Sequence, residues 1–149
     1  MELEIQLLMS RILVLIQFVT AAALVVSARF NPHHAIGFVA SAAGLVFGVW
    51  AIIAIGPTRV AIMPEVKTKT QLVTAGPYRY VRHPMYTSLL LFCGGYVFTP
   101  FHWWKIAAWL VLLFVLVVKS RIEERQLMAR FADYTNYRKR TRRFVPFVW

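Results

Sequence analysis

The segment GPYRYVRHPMY, residues 76–86, separates stretches of the chain that are apolar enough to enter a bilayer. Pro84 suits the first position of a helix, where its missing N–H forms no helical hydrogen bond. It also favours an extended conformation of His83, so Arg82 and His83 are predicted to approach the helix as a straight segment. A helix N-terminus and two basic side chains suit an anionic group. The segment therefore predicts either a ligand site at the membrane surface or a basic loop that anchors a helix to lipid headgroups.

The composition is typical of a membrane protein. Hydrophobic residues make up 59% of the 149 residues, far more than in an average soluble domain. A single domain over residues 1–149 is expected at this length. The net charge of +11 would suggest nucleic-acid binding in a soluble protein, but the basic residues here are confined to a few segments. We therefore expect membrane lipids as partners and no nucleic acid.

Four apolar segments predict four transmembrane helices, the last two joined as a tight hairpin. The predicted spans cover residues 7–28, 34–56, 84–99 and 103–118. Each of the first two has about 22 residues, roughly 30 Å of helix, which matches the hydrocarbon core of a bilayer. The last two are short, so a tilted or thinned setting is expected for them. Lys105, beside two tryptophans, is expected to extend its side chain to the membrane interface.

Small residues on the second span and the tail after the fourth span complete the predicted fold. Gly44 and Gly48 have GxxxG spacing, which favours helix packing within one molecule over dimerisation. From Glu123 onward, apolar residues recur at helical spacing opposite a basic face, which predicts an amphipathic helix at the membrane interface. The predicted fold class is therefore an all-α integral membrane protein with an interfacial C-terminal helix.

The basic residues also predict an orientation. The loop between Pro57 and Pro84 and the tail from Lys119 carry most of the 17 lysines and arginines. Basic segments stay on the cytoplasmic side of a membrane. We therefore expect a multi-pass protein of a bacterial plasma membrane, with this loop and the tail in the cytoplasm. Cys93 lies inside the third span, and no His/Cys spacing indicates a metal site.

Two adjacent acidic residues, Glu123 and Glu124, follow the fourth span, and the basic residues Lys119 and Arg121 precede them by one helical turn or less. One interpretation is a network of charges on a helix surface. The other is recognition of a cation, such as an ammonium or sulfonium group, where the aqueous loop meets the hydrocarbon. The spacing leaves both interpretations open.

The paired motifs resemble a known family of membrane enzymes. GPYRYVRHPMY, a hydrophobic hairpin, then EERQL and finally RFVP are similar to the isoprenylcysteine carboxyl methyltransferase family, which is related to phospholipid N-methyltransferases. The resemblance covers residues 72–146, about half of the chain. It implies S-adenosylmethionine as the cofactor, S-adenosylhomocysteine as the product and no metal. Consistently, no GxGxxG follows a strand pattern here.

The resemblance also implies roles for individual residues. Positions that match cofactor contacts of the family are Leu72, Val73, Tyr78, His83, Pro84, Met85, Tyr86 and Glu123. Lys119 falls where eukaryotic relatives place a substrate-facing arginine, and Arg121 is the alternative. The chain lacks the additional N-terminal spans of eukaryotic members, so a prenylated protein is not the assured substrate.

The chemistry of methyl transfer completes the hypothesis. Arg82 or His83 can pair with the methionyl carboxylate of the cofactor, and Glu123 with its ammonium group. A carboxylate nucleophile needs no base, whereas an amine or thiol does, with Glu124 or His83 as candidates. The predicted acceptor is a lipophilic or lipid-attached molecule that enters sideways between helices. The alternative is a non-enzymatic multi-span adaptor or lipid-binding protein with a related fold.

Overall fold

The computed structural model describes residues 2–29, 34–57 and 72–145. These residues form five α-helices: α1 (Glu2–Val26), α2 (Ala35–Ile55), α3 (Pro84–Val97), α4 (Trp103–Arg130) and α5 (Tyr134–Arg140). A short 3₁₀ helix covers Gly76–Arg79 before α3. Within these ranges the only β-structure is two isolated bridges, so the all-α prediction is confirmed. Residues 58–71 of the predicted basic loop, and Pro146 at the end of the RFVP motif, lie outside the described residues.

Two of the helices are long and apolar enough to cross a bilayer, judged by length and composition over the described part of the chain. They cover Glu4–Val26 and Ala35–Ile55, in agreement with the first two predicted spans. The helix α3 has 14 residues, or roughly 21 Å, and begins at Pro84 as predicted. The helix α4 has 28 residues and, apart from Lys105 in its first turn, carries its charges in its C-terminal half. The crossing of the membrane by α3 and α4 stays a prediction.

Side-chain contacts show that neighbouring helices run antiparallel. Gln17 of α1 contacts Lys119 of α4, while Ser27, just after α1, contacts Lys105 near the start of α4. The start of α1, the segment before α3, the charged half of α4 and α5 therefore lie at one end, the α5 end. The link between α3 and α4 lies at the other, the hairpin end.

Glycine allows α2 and α3 to approach closely. A Cβ atom at Gly44 would lie 2.5 Å from the backbone nitrogen of Phe92. The Ser41 hydroxyl donates to the carbonyl of Phe92 at 2.8 Å, and the Ser88 hydroxyl donates to the carbonyl of Gly44 at 2.8 Å. The prediction that the GxxxG face packs within one molecule is therefore confirmed.

The apolar core lies where α3 and α4 meet α1. Leu24, Leu90, Leu112 and Leu116 form its centre. Cys93 is fully buried among them and unpaired, as its place in the third span predicted.

The tail after the fourth span differs from the prediction. The helix α4 continues to Arg130, and Phe131 then adopts an extended conformation with φ −117° and ψ 113°. The chain turns and begins α5 at Tyr134, whose side chain is only 1% exposed. The prediction of one amphipathic interfacial helix from Glu123 onward is therefore wrong. The apolar residues of the tail are divided between two helices because the turn directs Tyr134 into the protein.

Lys105 also differs from the prediction, because its side chain is fully buried. Its ammonium donates to the carbonyls of Ser27, Tyr96 and Thr99 at 3.2–3.3 Å. These acceptors lie at the C-terminal ends of α1 and α3, where helical carbonyls lack helical partners and the helix dipole favours a cation. The expected extension of Lys105 to the membrane interface is wrong, since the protein itself supplies the polar partners.

Candidate active site

The segment before α3 pairs with the C-terminal segment of the chain. The backbone N–H of Arg82 donates to the carbonyl of Arg142 at 2.7 Å, and that of His83 donates to Arg143 at 3.2 Å. Val81 and Arg142 form a parallel bridge. This pairing brings both motifs of the sequence together at the α5 end. The predicted straight approach to α3 is wrong at His83, whose ψ of 61° lies outside the extended range because its carbonyl accepts from the backbone N–H groups of Tyr86 and Thr87.

Glu124 is the buried anion that joins these segments. Its side chain accepts from Arg82 Nε at 2.8 Å and from Arg143 Nη2 at 2.9 Å, and it lies 3.3 Å from His83 Nε2. Burial alone would raise the pKa of Glu124, but the hydrogen bonds from His83, Arg143 and Arg82 hold it well below its ordinary range. The carboxylate is therefore a permanent anion that ties α4 to the segment before α3 and to the tail.

Arg82 is also bound to the tail through its side chain. Its Nη1 donates to the carbonyls of Thr141 at 2.6 Å and Arg138 at 3.2 Å. Together with its ion pair to Glu124, these bonds commit the guanidinium to contacts within the protein. The geometry favours a role of Arg82 in holding the tail over the proposed pairing with a cofactor carboxylate.

Glu123, the other member of the acidic pair, remains accessible. It accepts a hydrogen bond from the Tyr86 hydroxyl, and its second oxygen lies 3.3 Å from His83 Nδ1. Its side chain is 20% exposed, whereas that of Glu124 is 3% exposed. Of the two carboxylates, Glu123 is therefore the one that can contact a ligand.

His83 lies between the two carboxylates and caps α3. Each of its ring nitrogens faces a glutamate oxygen at 3.3 Å. Both nitrogens can donate a hydrogen bond at the same time only in the imidazolium form. Burial opposes this charge, but hydrogen bonds to Glu123 and Glu124 outweigh it and raise the pKa of His83 above its ordinary value. Because both ring nitrogens are engaged with carboxylates, the geometry does not favour His83 as a general base.

Aromatic rings surround this charge cluster. The ring of Tyr86 stacks on His83 with an interplanar angle of 8° and a centroid distance of 5.4 Å. Phe144 packs edge-on against both rings, and the Thr87 hydroxyl donates to its carbonyl at 2.7 Å. Tyr78 is buried, and burial together with the charge of Glu123 raises its pKa to about 12. Tyr78 is therefore a neutral hydroxyl near Glu123.

Tyr134 contributes a polar atom without a partner. Among the described residues, its hydroxyl is the buried side-chain atom that lacks a hydrogen bond. Burial first, and the charge of Glu124 second, raise the pKa of this hydroxyl above its ordinary value. Leaving a buried hydroxyl unpaired costs about 1–3 kcal/mol, so the position suits a ligand or a water molecule.

Lys119 is the basic residue of α4 that lies beside Tyr86. Its side chain is 1% exposed, and its ammonium donates to the side-chain oxygen of Gln17 at 2.6 Å. The ammonium also lies 5.4 Å from the centre of the Tyr86 ring, within cation–π range. Arg121 lies two residues after Lys119 on α4, so its side chain points about 200° away from that of Lys119. It is exposed. The structure therefore brings Lys119, and not Arg121, to the cluster.

The remaining sequence-predicted residues lie close by in the chain. Pro84 and Met85 form the first turn of α3, next to His83. Leu72 and Val73 are half-buried in the segment before the 3₁₀ helix. The roles of these four residues in cofactor binding stay predictions.

Sequence reasoning missed several members of the site, namely Gln17, Tyr134, Tyr137, Arg143 and Phe144. They come from the first helix and from the tail. One signal was present in the sequence. A lone glutamine in a long apolar span is a polar group that needs a partner. Tyr134 and Tyr137 were assigned to an interfacial helix, and Arg143 and Phe144 to a non-helical end against the membrane. No local pattern indicates that these residues fold back onto α3.

The part of the chain that the structure describes contains no candidate metal site. No group of three or more His, Cys, Asp or Glu residues there could hold a metal ion. Within the site, Glu123 and Glu124 pair with His83, and Glu124 pairs also with Arg82 and Arg143.

Comparison with known families matches residues 32–134, most of the chain, to the model of the phospholipid methyltransferase family. The match contains α2, α3 and α4, and with them Arg82, His83, Glu123 and Glu124. Comparison with curated proteins and with solved structures finds no significant match.

Proposed function

Because the chain belongs to the phospholipid methyltransferase family, we propose that it transfers a methyl group from S-adenosylmethionine to a lipophilic or lipid-attached acceptor. The family consists of membrane methyltransferases that generally use this cofactor. As a member of this family, the chain is a membrane methyltransferase. Its cofactor and its acceptor are the subject of the proposal.

The observation that carries the proposal is the position of Glu123. Its carboxylate is fixed by Tyr86 and His83, yet one fifth of its side chain is exposed, at 20%. A carboxylate oriented in this way can accept hydrogen bonds from an ammonium group, which is a charged interaction. The amino group of the methionyl part of the cofactor supplies such a cation.

The other residues of the site also fit this cofactor. Tyr86 and Tyr78 offer aromatic rings for an adenine or for a sulfonium cation. The buried Tyr134 hydroxyl, which lacks a partner among the described residues, can bond to a polar group of the cofactor. Bound S-adenosylmethionine supplies an electrophilic methyl group on its sulfonium. The protein residues hold the two reactants in line and exclude water.

The state of the acidic and basic residues bears on the acceptor. An effective general base has a pKa near the working pH. Glu124 is held ionised by two arginines, which lower its pKa, and both ring nitrogens of His83 are engaged with Glu123 and Glu124, so neither side chain is placed for that task. We therefore favour an acceptor whose nucleophile needs no base, such as a carboxylate, over an amine or a thiol.

Lys119 is the proposed contact for the acceptor. Its ammonium is buried between α1 and α4, next to Tyr86, where the apolar part of α4 ends. Charged residues inside membrane helices are costly and commonly serve a function. We propose that Lys119 holds an anionic group of the acceptor, whose tail lies between helices.

Methyl transfer with tritiated S-adenosylmethionine tests this proposal. The purified protein in detergent is offered N-acetyl-S-farnesylcysteine, phosphatidylethanolamine and dodecanethiol in parallel. We expect a methyl ester on the farnesylcysteine, released by base as methanol. Lys119→Ala should reduce the rate by tenfold or more, if one charged hydrogen bond worth about 1.5–3 kcal/mol is lost.

Arg125→Ala is the matched control, since Arg125 is a basic residue on the exposed surface of α4. It should leave the rate within about twofold. Transfer to the amine or the thiol alone would contradict the preference for a carboxylate. Transfer to none of the three acceptors, together with no binding of the cofactor, would favour the non-enzymatic adaptor.

A further inference from the structure

We propose that Gln17 of α1 is a positioning residue that holds the Lys119 ammonium in the acceptor site. This inference rests on the proposed function and adds a part of the chain to it. The side-chain oxygen of Gln17 accepts a hydrogen bond from Lys119 Nζ at 2.6 Å. Lys119 is 1% exposed, so this contact is made inside the protein.

The surroundings of Gln17 explain why this contact matters. The sequence from Ile12 to Val26 contains no charged residue, and Gln17 lies in its apolar first half. A polar amide in an apolar membrane helix needs a hydrogen-bond partner. Because α1 runs antiparallel to α4, Gln17 is level with the point where α4 changes from apolar to charged.

A continuous set of contacts links Gln17 to the cofactor side of the site. The Lys119 ammonium lies 5.4 Å from the centre of the Tyr86 ring, and the Tyr86 hydroxyl donates to Glu123. A lysine side chain is a flexible four-carbon stem with a compact charge at its end. The bond to Gln17 therefore restricts where that charge lies relative to Tyr86.

The inference extends the site beyond the region that the family match covers. Gln17 precedes residues 32–134, so α1 supplies a group that the matched region lacks. The ligand chemistry that suits a fixed ammonium in an apolar setting is a single anionic group, carboxylate or phosphate, attached to an apolar tail. Gln17 should consequently affect the binding of such an acceptor and not that of the cofactor.

Binding measurements that need no turnover test the inference. Titration calorimetry in detergent, with S-adenosylhomocysteine present, compares N-acetyl-S-farnesylcysteine, its neutral methyl ester and a lysophosphatidic acid. The wild type should bind at least one acid more tightly than the ester, and the preferred acid identifies a carboxylate or a phosphate. Gln17→Met removes the amide with little change of shape and should weaken that acid about tenfold, the loss that corresponds to 1.4 kcal/mol.

A double-mutant cycle separates positioning from general damage. Lys119→Met should abolish the preference for the acid, and adding Gln17→Met to it should weaken binding no further, because Gln17 acts through Lys119. The dissociation constant of S-adenosylhomocysteine should stay within about twofold in each variant. Gln6→Met changes the same residue type in the same helix at an exposed position and should have no effect.

Several results would overturn the inference. These are an unchanged affinity of Gln17→Met for the acid, an equal loss for the neutral ester, additive effects in the cycle, or no preference for either acid in the wild type.

Gln17→Leu repeats the test with a different shape. If both Gln17 variants fail to fold while Gln6→Met folds, the role of Gln17 is structural and the inference is wrong. If the acid preference is present but S-adenosylhomocysteine does not bind, the proposed function fails and the role of Gln17 stands.

Discussion

At the scale of single residues, the partners of a side chain decide its chemistry more than its type does. Glu123 and Glu124 are adjacent and chemically identical, yet Glu124 is enclosed by two arginines and a histidine, while Glu123 stays accessible. The sequence indicated that this pair and His83 form a site. It could not show that Arg143 joins them, because an ion pair between distant segments leaves no periodic pattern.

The raised pKa of His83 predicts a pH dependence of stability. A group whose pKa is higher in the folded state stabilises the fold fully below its unfolded pKa, about 6.5, and this contribution is lost as the pH rises through the folded pKa. The thermal unfolding temperature, measured between about pH 5 and pH 9, should therefore fall more steeply on the alkaline side for the wild type than for His83→Gln.

His102→Gln is the control for this measurement, because His102 is exposed at the hairpin end. It should keep the pH profile of the wild type. The contribution of Glu124 has the opposite sign, since its lowered pKa stabilises the fold above the ordinary carboxyl range and is lost only in acid. Equal alkaline slopes for the wild type and His83→Gln would show that the imidazolium does not hold the site together.

At the scale of helices, close packing of α2 on α3 fixes where the site segment begins. Gly44 brings the two backbones together, and the Ser41 and Ser88 hydroxyls bond across the contact. Gly76, with φ of +59° in the segment before α3, approaches Ala54 of α2. The helix α2 therefore supports both α3 and the turn that leads to Arg82 and His83.

Substitution of Gly44 tests this packing. Gly44→Val would place a side chain against the backbone of Phe92 and should destabilise the protein by about 1–3 kcal/mol or more, as overpacking does. Ala43→Val is the matched control, since Ala43 is exposed on the same helix. Thermal unfolding in detergent measures both. A Gly44→Val protein as stable as Ala43→Val would mean that α2 and α3 are not in close contact.

The helices themselves were largely predictable, whereas the ways in which they end and cross-link were not. Apolar runs and Pro84 located α1, α2 and the start of α3 because local composition determines them. The continuation of α4 to Arg130 and the burial of Lys105 depend on distant partners. A spacing of apolar residues does not distinguish one helix at a membrane surface from two helices that fold onto the protein.

At the scale of the whole molecule, the antiparallel helices collect the charged segments at one end. The α5 end contains the acidic pair, the segment before α3 and the basic tail, while Lys105 and the α3–α4 link lie at the hairpin end. The predicted orientation, with the basic segments in the cytoplasm, requires such segregation.

Cysteine labelling tests this orientation in intact cells. In a Cys93→Ser background, Arg140→Cys should react with a membrane-impermeant maleimide only after the membrane is opened. His102→Cys, at the hairpin end, should react from outside. Both positions are exposed in the structure. Labelling of both residues from the same side would contradict the four-span arrangement.

Cofactor binding tests the central claim most directly. Titration calorimetry of the purified protein with S-adenosylhomocysteine should reveal one site per chain. Glu123→Gln should weaken it by about 1.5–3 kcal/mol, the value of one hydrogen bond to a charged group, while Glu4→Gln, an exposed glutamate of α1, should not. If the wild type gives no binding heat and no thermal stabilisation with S-adenosylhomocysteine or S-adenosylmethionine, or if Glu123→Gln binds as tightly as the wild type, the account of the site is contradicted.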